Sequence, residues 1–119
     1  MKDVLITTLF LNQVESSKRF LNSVFKNTDE ELYDLAILNN GSIDETFEYC
    51  EQLKQTHSNI YVSHSDINKG FPAGHNFLLS TIDYTKYKYV VLANNDIVVG
   101  SNWLNMLIRG CDETNSALV

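Results

Sequence analysis

The sequence predicts an α/β fold: a parallel-sheet βαβαβαβα three-layer sandwich forming a single domain, or part of one, over residues 1–119. Three observations carry that expectation. Short apolar runs alternate with amphipathic segments of helical period. The connections are of ordinary length, with no internal repeat and no low-complexity linker. Polar residues, chiefly Asn, Ser, Thr and Gly, gather at or just past the carboxyl ends of the apolar runs, where open parallel sheets hold their ligands.

Val4 to Leu11 reads as the first strand, and residues 14–26 as a helix with Val14, Phe20, Leu21, Val24 and Phe25 on one side. Leu35 to Leu38 is the second strand. Ser42 and Glu45 have the S-x-x-E spacing of a capping box, and Phe47, Cys50 and Leu53 supply the buried stripe of the helix that follows. Ile60 to Val62 is a third, shorter strand. Phe71-Pro72 opens another helix, because proline in a first turn costs no hydrogen bond; Phe77, Leu78 and Ile82 are expected to face inward. Tyr87 to Ala93 is a continuous apolar run, the pattern of a strand covered on both faces. Ser101 is placed to cap a last helix through Trp103, Leu104, Leu107 and Ile108.

At 119 residues and 44% hydrophobic, the chain can bury one modest core. Its net charge of −6, from 9 Lys+Arg against 15 Asp+Glu, argues against a polynucleotide partner, which takes clustered cations. A nucleotide held by a metal and by backbone amides is still compatible with that charge. Cys50 and Cys111 lack CxxC spacing and read as reduced thiols of a cytoplasmic protein. No apolar stretch approaches the ~20 residues that span a bilayer, and the N-terminus carries no cleavage signature. The expected location is the cytoplasm, and nothing in the sequence argues against peripheral contact with the inner face of the membrane.

Candidate chemistry sits in three loops. Asp96 follows the last apolar run, in ANNDIVV. A hard cation such as Mg²⁺ or Mn²⁺ is often held by one or two carboxylates, with phosphate oxygens completing its shell, so one Asp suffices for a diphosphate ligand. The plainer reading makes Asp96 a turn cap. In NNGSIDET, Gly41, Ser42, Asp44 and Glu45 are accounted for by a turn and a helix start. Asn39 is not, and its amide can both donate to and accept from a nucleobase. DINKGFPAGHNFLL is neither a Walker loop nor GxGxxG. There Gly70 and Gly74 permit close backbone approach, Asn68 and Asn76 bracket the turn, and Phe71 is expected against the sheet or a ring. His75 reads as a solvent-facing or turn residue, and the three histidines show no metal spacing.

In chain order, LITTLFLNQ, ILNNGSIDET, NKGFPAGHN and VVLANNDIVV resemble four segments of the family 2 inverting glycosyltransferases. These are the first strand with its loop, V-D-N-G-S-x-D-x-T, N-x-G-F-x-x-G-x-N, and the strand entering a D-x-D-like motif. The resemblance implies the Rossmann-like nucleotide-binding half of a GT-A fold, truncated before the acceptor-binding half. It further implies transfer of a sugar from a nucleoside-diphosphate sugar to an acceptor hydroxyl with inversion, in cell-surface polysaccharide synthesis. By that resemblance Thr7, Thr8 and Asn39 lie near the nucleobase and ribose, and Asn68, Gly70 and Asn76 shape the donor pocket. Asn94 and Asn95 adjoin the ribose or diphosphate, and Asp96 holds a divalent metal, Mn²⁺ or Mg²⁺. The implied partners are the nucleotide-sugar donor and a carbohydrate or lipid-linked acceptor, with no nucleic acid.

The chain departs from the family pattern at three points. Asn39 replaces the Asp common at its position, and Asn94 replaces the first Asp of a full D-x-D. The general base, which the family carries in its acceptor-binding half, has no counterpart here, so no catalytic residue is assigned. An alternative reading is a non-catalytic module of the same fold that self-associates as a homodimer through an exposed sheet edge.

Overall fold

A computed structural model of the chain describes residues 2–114; residue 1 and residues 115–119 of the expected domain lie outside the described residues. Strands β1 (Val4–Phe10), β2 (Tyr33–Asn40), β3 (Ile60–Ser65) and β4 (Tyr89–Ala93) form one parallel sheet in the order β3-β2-β1-β4. Helices α1 (Val14–Asn27), α2 (Thr46–Thr56) and α3 (Phe71–Thr81) connect the strands, and α4 (Trp103–Thr114) follows the last. The expected α/β architecture is the observed one.

Alternating strand residues point to opposite faces, and this sorts the core into layers. Val4, Ile6 and Phe10 of β1, with Leu35 and Ile37 of β2, pack on Phe20, Leu21 and Val24 of α1, Cys50 and Leu53 of α2, and Leu104 of α4. Leu5, Ala36 and Leu38 pack on Leu78 of α3 across the sheet. The chain builds outward from β1 to β2 to β3, then α3 carries it back so that β4 joins the other side of β1. That reversal opens a crevice at the carboxyl ends of β1 and β4.

Several sequence expectations need correction. The run Tyr87 to Ala93 is not a strand covered on both faces: β4 begins at Tyr89, lies at the sheet edge, and leaves Leu92 half exposed. The strands covered on both faces are β1 and β2, where only Leu9 and Asp34 are less than fully buried. Apolar continuity reports affinity for a sheet, not position within it. Phe47, assigned to the buried stripe of α2, is exposed and packs on His64, with ring centroids 4.3 Å apart. Asn102, in the left-handed region at φ 63°, directly precedes α4, and Ser101 lies one residue further back.

The capping box also does not form. Helix α2 starts at Thr46, and Ser42 instead ties two loops together: its Oγ accepts from Asn12 N at 2.8 Å and donates to Phe10 O at 3.4 Å. Asp44 supplies the cap. Its carboxylate accepts from Thr46 N at 3.0 Å, from Thr46 Oγ1 at 2.5 Å, and from Val14 N at 3.1 Å, so one side chain serves the starts of α1 and α2. Desolvation alone would raise its pKa, but the bonds from Thr46 and Val14 outweigh it and hold the carboxyl below its ordinary value. A depressed acid stabilises the fold above its unfolded pKa, and that contribution is lost as pH falls through the folded value. Asp44→Ala is therefore expected to cost about 2 kcal/mol at neutral pH, a gap that closes as pH drops below about 4. Urea denaturation across that range measures it.

Candidate functional site

Three loops at the carboxyl edge of the sheet are built onto one another. Asn12 and Gln13 adopt left-handed backbone after β1, at φ 52° and 57°. Asn12 Oδ1 accepts from Ile43 N at 2.7 Å, joining the β1–α1 and β2–α2 loops. Asn40, buried at the end of β2, clamps the β3–α3 loop. Its Nδ2 donates to Asn68 Oδ1 at 3.0 Å, and its Oδ1 accepts from Lys69 N at 2.9 Å. Asn68 Oδ1 also accepts from Gly70 N at 2.9 Å. Gly41 turns beneath this clamp at φ 86°, where a Cβ would sit 2.7 Å from Asn68 N.

The loop after β4 is pinned to α1. Asn95 Nδ2 donates to Ser17 Oγ at 3.0 Å, Ser16 Oγ donates to Asn95 O at 3.4 Å, and Ser23 and Asn27 hold the backbone of Val99. With Asn95 turned inward, Asn94 and Asp96 stand at the surface. The Asp96 carboxylate makes no hydrogen bond or ion pair among the described residues, so it is not acting as a turn cap.

Between these loops lies a cleft of about 340 Å³ lined by Leu9, Leu11, Asn40, Asn68, Gly70, Phe71, Ala93, Asn94, Asn95 and Asp96. It sits at the switch between β1 and β4, where Thr8 pairs with Ala93. No lysine or arginine is among the lining residues, and Asp96 is the one charged side chain there. The uncapped first turn of α3, beginning after Gly70, also opens on it.

The structure brings Asn68, Gly70, Asn94, Asn95 and Asp96 together in this lining. Thr7, Thr8 and Asn39 lie at the same sheet edge but are buried beside it. Thr7 Oγ1 is 2.9 Å from His75 Nδ1, and Thr8 Oγ1 has no partner among the described residues. Asn39 faces β3, with Nδ2 3.0 Å from His64 Nδ1. Asn76 is exposed on α3 and does not line the cleft. Sequence reasoning missed Asn40. Strand parity was the available signal, because Leu38 and Asn40 share the face that meets α3.

His75 is buried, contrary to its reading as a solvent-facing residue. It fills the space between Thr7 and Phe71, whose ring centroid lies 4.4 Å away. Gly74 permits this close approach of α3 to the sheet, since a Cβ there would meet Leu9 Cδ1 at 2.7 Å. Burial pushes the His75 pKa down, and its Nε2 has no partner among the described residues. The unfolded chain therefore takes up this proton more readily than the folded one, and the contribution to stability is lost as pH falls below about 6.5. Urea midpoints are expected to drop between pH 7.5 and 5.5, and His75→Gln should flatten that drop.

A larger cleft of about 600 Å³, lined by Lys2, Asp34, Tyr61 and Lys86 among others, lies at the opposite, amino end of the strands. Tyr87 donates from its hydroxyl to Asp34 Oδ2 there, at 2.5 Å. Parallel sheets place their sites at the carboxyl ends, so the smaller cleft is the candidate.

Sheet order and the crevice at its switch point define an α/β domain of the GT-A kind. Among solved structures, residues 1–349 of S. aureus TarS match with a TM-score of 0.77 and 21% identity, over 98% of this chain and 34% of that one. TarS in complex with UDP-GlcNAc matches equally well, over 98% and 32%. Mannosyltransferase PcManGT from Pyrobaculum calidifontis, in complex with GDP-Man and Mn²⁺, matches with a TM-score of 0.79 and 13% identity, over 92% and 32%. At such identities the likeness is one of fold, and the chain spans about a third of the length of each structure. No curated protein matches the chain significantly in sequence. The chain belongs to glycosyl transferase family 2, whose model matches residues 6–119.

Proposed function

We propose that residues 1–119 are the donor-binding half of a glycosyltransferase that moves a sugar, with inversion, from a nucleoside-diphosphate sugar to an acceptor hydroxyl. One observation carries the reading: Asp96, a carboxylate without a partner among the described residues, stands in a switch-point cleft whose lining offers no basic side chain. A diphosphate placed there needs a cation, and a single carboxylate with amide oxygens beside it is a hard donor set suited to Mn²⁺ or Mg²⁺. Asp96 would hold the metal, with Asn94 beside it. Bound there, the metal would neutralise charge growing on the departing diphosphate.

The chain's own residues do the rest by positioning. Asn40 fixes Asn68 and Lys69 so that the β3–α3 loop forms one wall, and backbone N–H groups at the start of α3 favour an anion. Phe71 and Leu11 offer apolar surface to a base or sugar. No general base is assigned: Asp112 accepts from Tyr89 Oη at 2.6 Å, and Glu113 pairs with Arg109 at 3.9 Å. The acceptor is a carbohydrate or lipid-linked hydroxyl in cell-surface polysaccharide synthesis. The reaction would take place in the cytoplasm or at the inner face of the membrane.

Thermal unfolding with UDP- and GDP-sugars, with and without Mn²⁺, tests this. A ligand at a hundred times its Kd adds about 2.7 kcal/mol of stability, and the gain is expected only with metal present. No stabilisation by any nucleotide would sink the reading. A second reading, a self-associating module, rests on the uncharged β4 edge with Leu92 exposed. Sedimentation showing a monomer at high concentration would remove it.

A further inference from the structure

Helix α1 carries a serine where its buried stripe would take an apolar residue. Val14, Phe20, Leu21 and Val24 are buried on one face of α1, and Ser17, at the same helical spacing, is fully buried with them. A hydroxyl in that setting costs free energy unless it is bonded. Its partner is Asn95, whose Nδ2 donates to Ser17 Oγ at 3.0 Å. Asn95 and Asp96 line the cleft, and Ser17 does not.

This bond belongs to a set that ties residues 95–99 along α1. Near the start of the helix, Ser16 Oγ also donates to Asn95 O, at 3.4 Å. Toward its end, Val99 N donates to Ser23 Oγ and Asn27 Nδ2 donates to Val99 O, each at 3.0 Å. Between the two ties Ile97 and Val98 are exposed, so apolar packing does not hold the segment there. Asp96 directly follows the first tie. A carboxylate on a loose loop has to be ordered each time it takes a cation, whereas one on a fixed backbone does not.

We propose that Ser17 is a positioning residue: by holding the Asn95 amide inward, it fixes the backbone that presents Asp96 to a metal-bound diphosphate. Of the two amides before Asp96, Asn95 is then a tether and not a ligand contact. The inference rests on the donor-binding reading above and deepens it.

Calorimetric titration with UDP and with GDP, with and without Mn²⁺, tests this on the wild type, Ser17→Ala, Asp96→Ala and the double variant. Denaturation curves set a temperature at which each is folded. Alanine favours a helix interior and is close to serine in size, so the change removes the hydroxyl and little else. With Mn²⁺, Ser17→Ala is expected to weaken binding of the preferred diphosphate about tenfold, the low end of what losing a support of a metal ligand costs. Without Mn²⁺ the change should stay below about twofold. In the Asp96→Ala background Ser17→Ala should also change affinity by less than about twofold, because no carboxylate is left to place.

Asn95→Ala breaks the same bond from the partly exposed loop side, and should reproduce the tenfold loss without adding to that of Ser17→Ala. Metal-dependent affinity within about twofold of wild type in Ser17→Ala overturns the proposal. So does a loss that persists without metal or in the Asp96→Ala background, which would make Ser17 structural only. Losses that add in Ser17→Ala/Asn95→Ala would make the amide a ligand contact and overturn the tether. If the folded wild type binds neither diphosphate, the donor-binding reading itself fails and takes the positioning role with it.

Discussion

Gly41→Ala is expected to lower the free energy of unfolding by about 3 kcal/mol, the sum of left-handed backbone strain and a forced displacement of packed neighbours. Gly41 sits at φ 86°, and a Cβ added there would lie 2.7 Å from Asn68 N and 2.8 Å from the carbonyl carbon of Ile67. Both are backbone atoms, so no side-chain rotation relieves the contact. The β3–α3 loop has to move, and with it go the bonds from Asn40 to Asn68 and Lys69 that build one wall of the cleft. Gly70 is not a matched control: at φ 81° and ψ 171° it lies in a region essentially closed to any residue with a Cβ, although an added Cβ would meet nothing within 4 Å. Urea denaturation of Gly41→Ala measures the loss, and a cost of no more than about 1 kcal/mol would mean that the close approach contributes nothing.

Asp96→Ala should leave stability within about 0.5 kcal/mol of wild type, since an exposed carboxylate without a partner is being removed. Its effect falls on binding instead. With Mn²⁺ present, affinity for a nucleoside diphosphate is expected to fall about a hundredfold, toward the weak level of the wild type without metal. The contrast is diagnostic because three neighbouring amides are tied into the fold: Asn40 to the β3–α3 loop, Asn95 to α1, Asn39 to His64. Asp96 stands apart from those networks, and calorimetry with a denaturation curve reads both quantities.

The fold was legible because period and punctuation agreed along the chain. Val14, Phe20, Leu21 and Val24 recur at helical spacing and are all buried, the last three in the core against the sheet. Pro72 falls in the first turn of α3, where its missing N–H does no harm. What stayed hidden depended on neighbours distant in sequence. The β4 run looks as apolar as β1, yet among the described residues its outer side has no partner strand, a fact about sheet order. Ser42 has the spacing of a cap but finds Asn12 and Phe10 closer at hand, so Asp44 takes the role.

The same limit applies at the site. The order of polar loops located the edge, but adjacent residues such as Asn39 and Asn40 face opposite sides of a strand. Parity puts Asn40 on the face of Leu38, and the α3 packing on that face makes it the cleft side. His75 was read from its loop-like neighbours. It is buried where α3 packs on the sheet, against Thr7 and Phe71.

The central claim is that side chains from separate loops meet a single metal-bound diphosphate at the carboxyl edge of the sheet. Paramagnetic broadening of amide resonances by Mn²⁺, added with UDP, tests it most directly. Broadening should centre on Asn94 to Asp96 and reach Asn40, Asn68 and Gly70. Broadening centred instead on Asp34, Tyr61 and Lys86, at the opposite end of the strands, would contradict it.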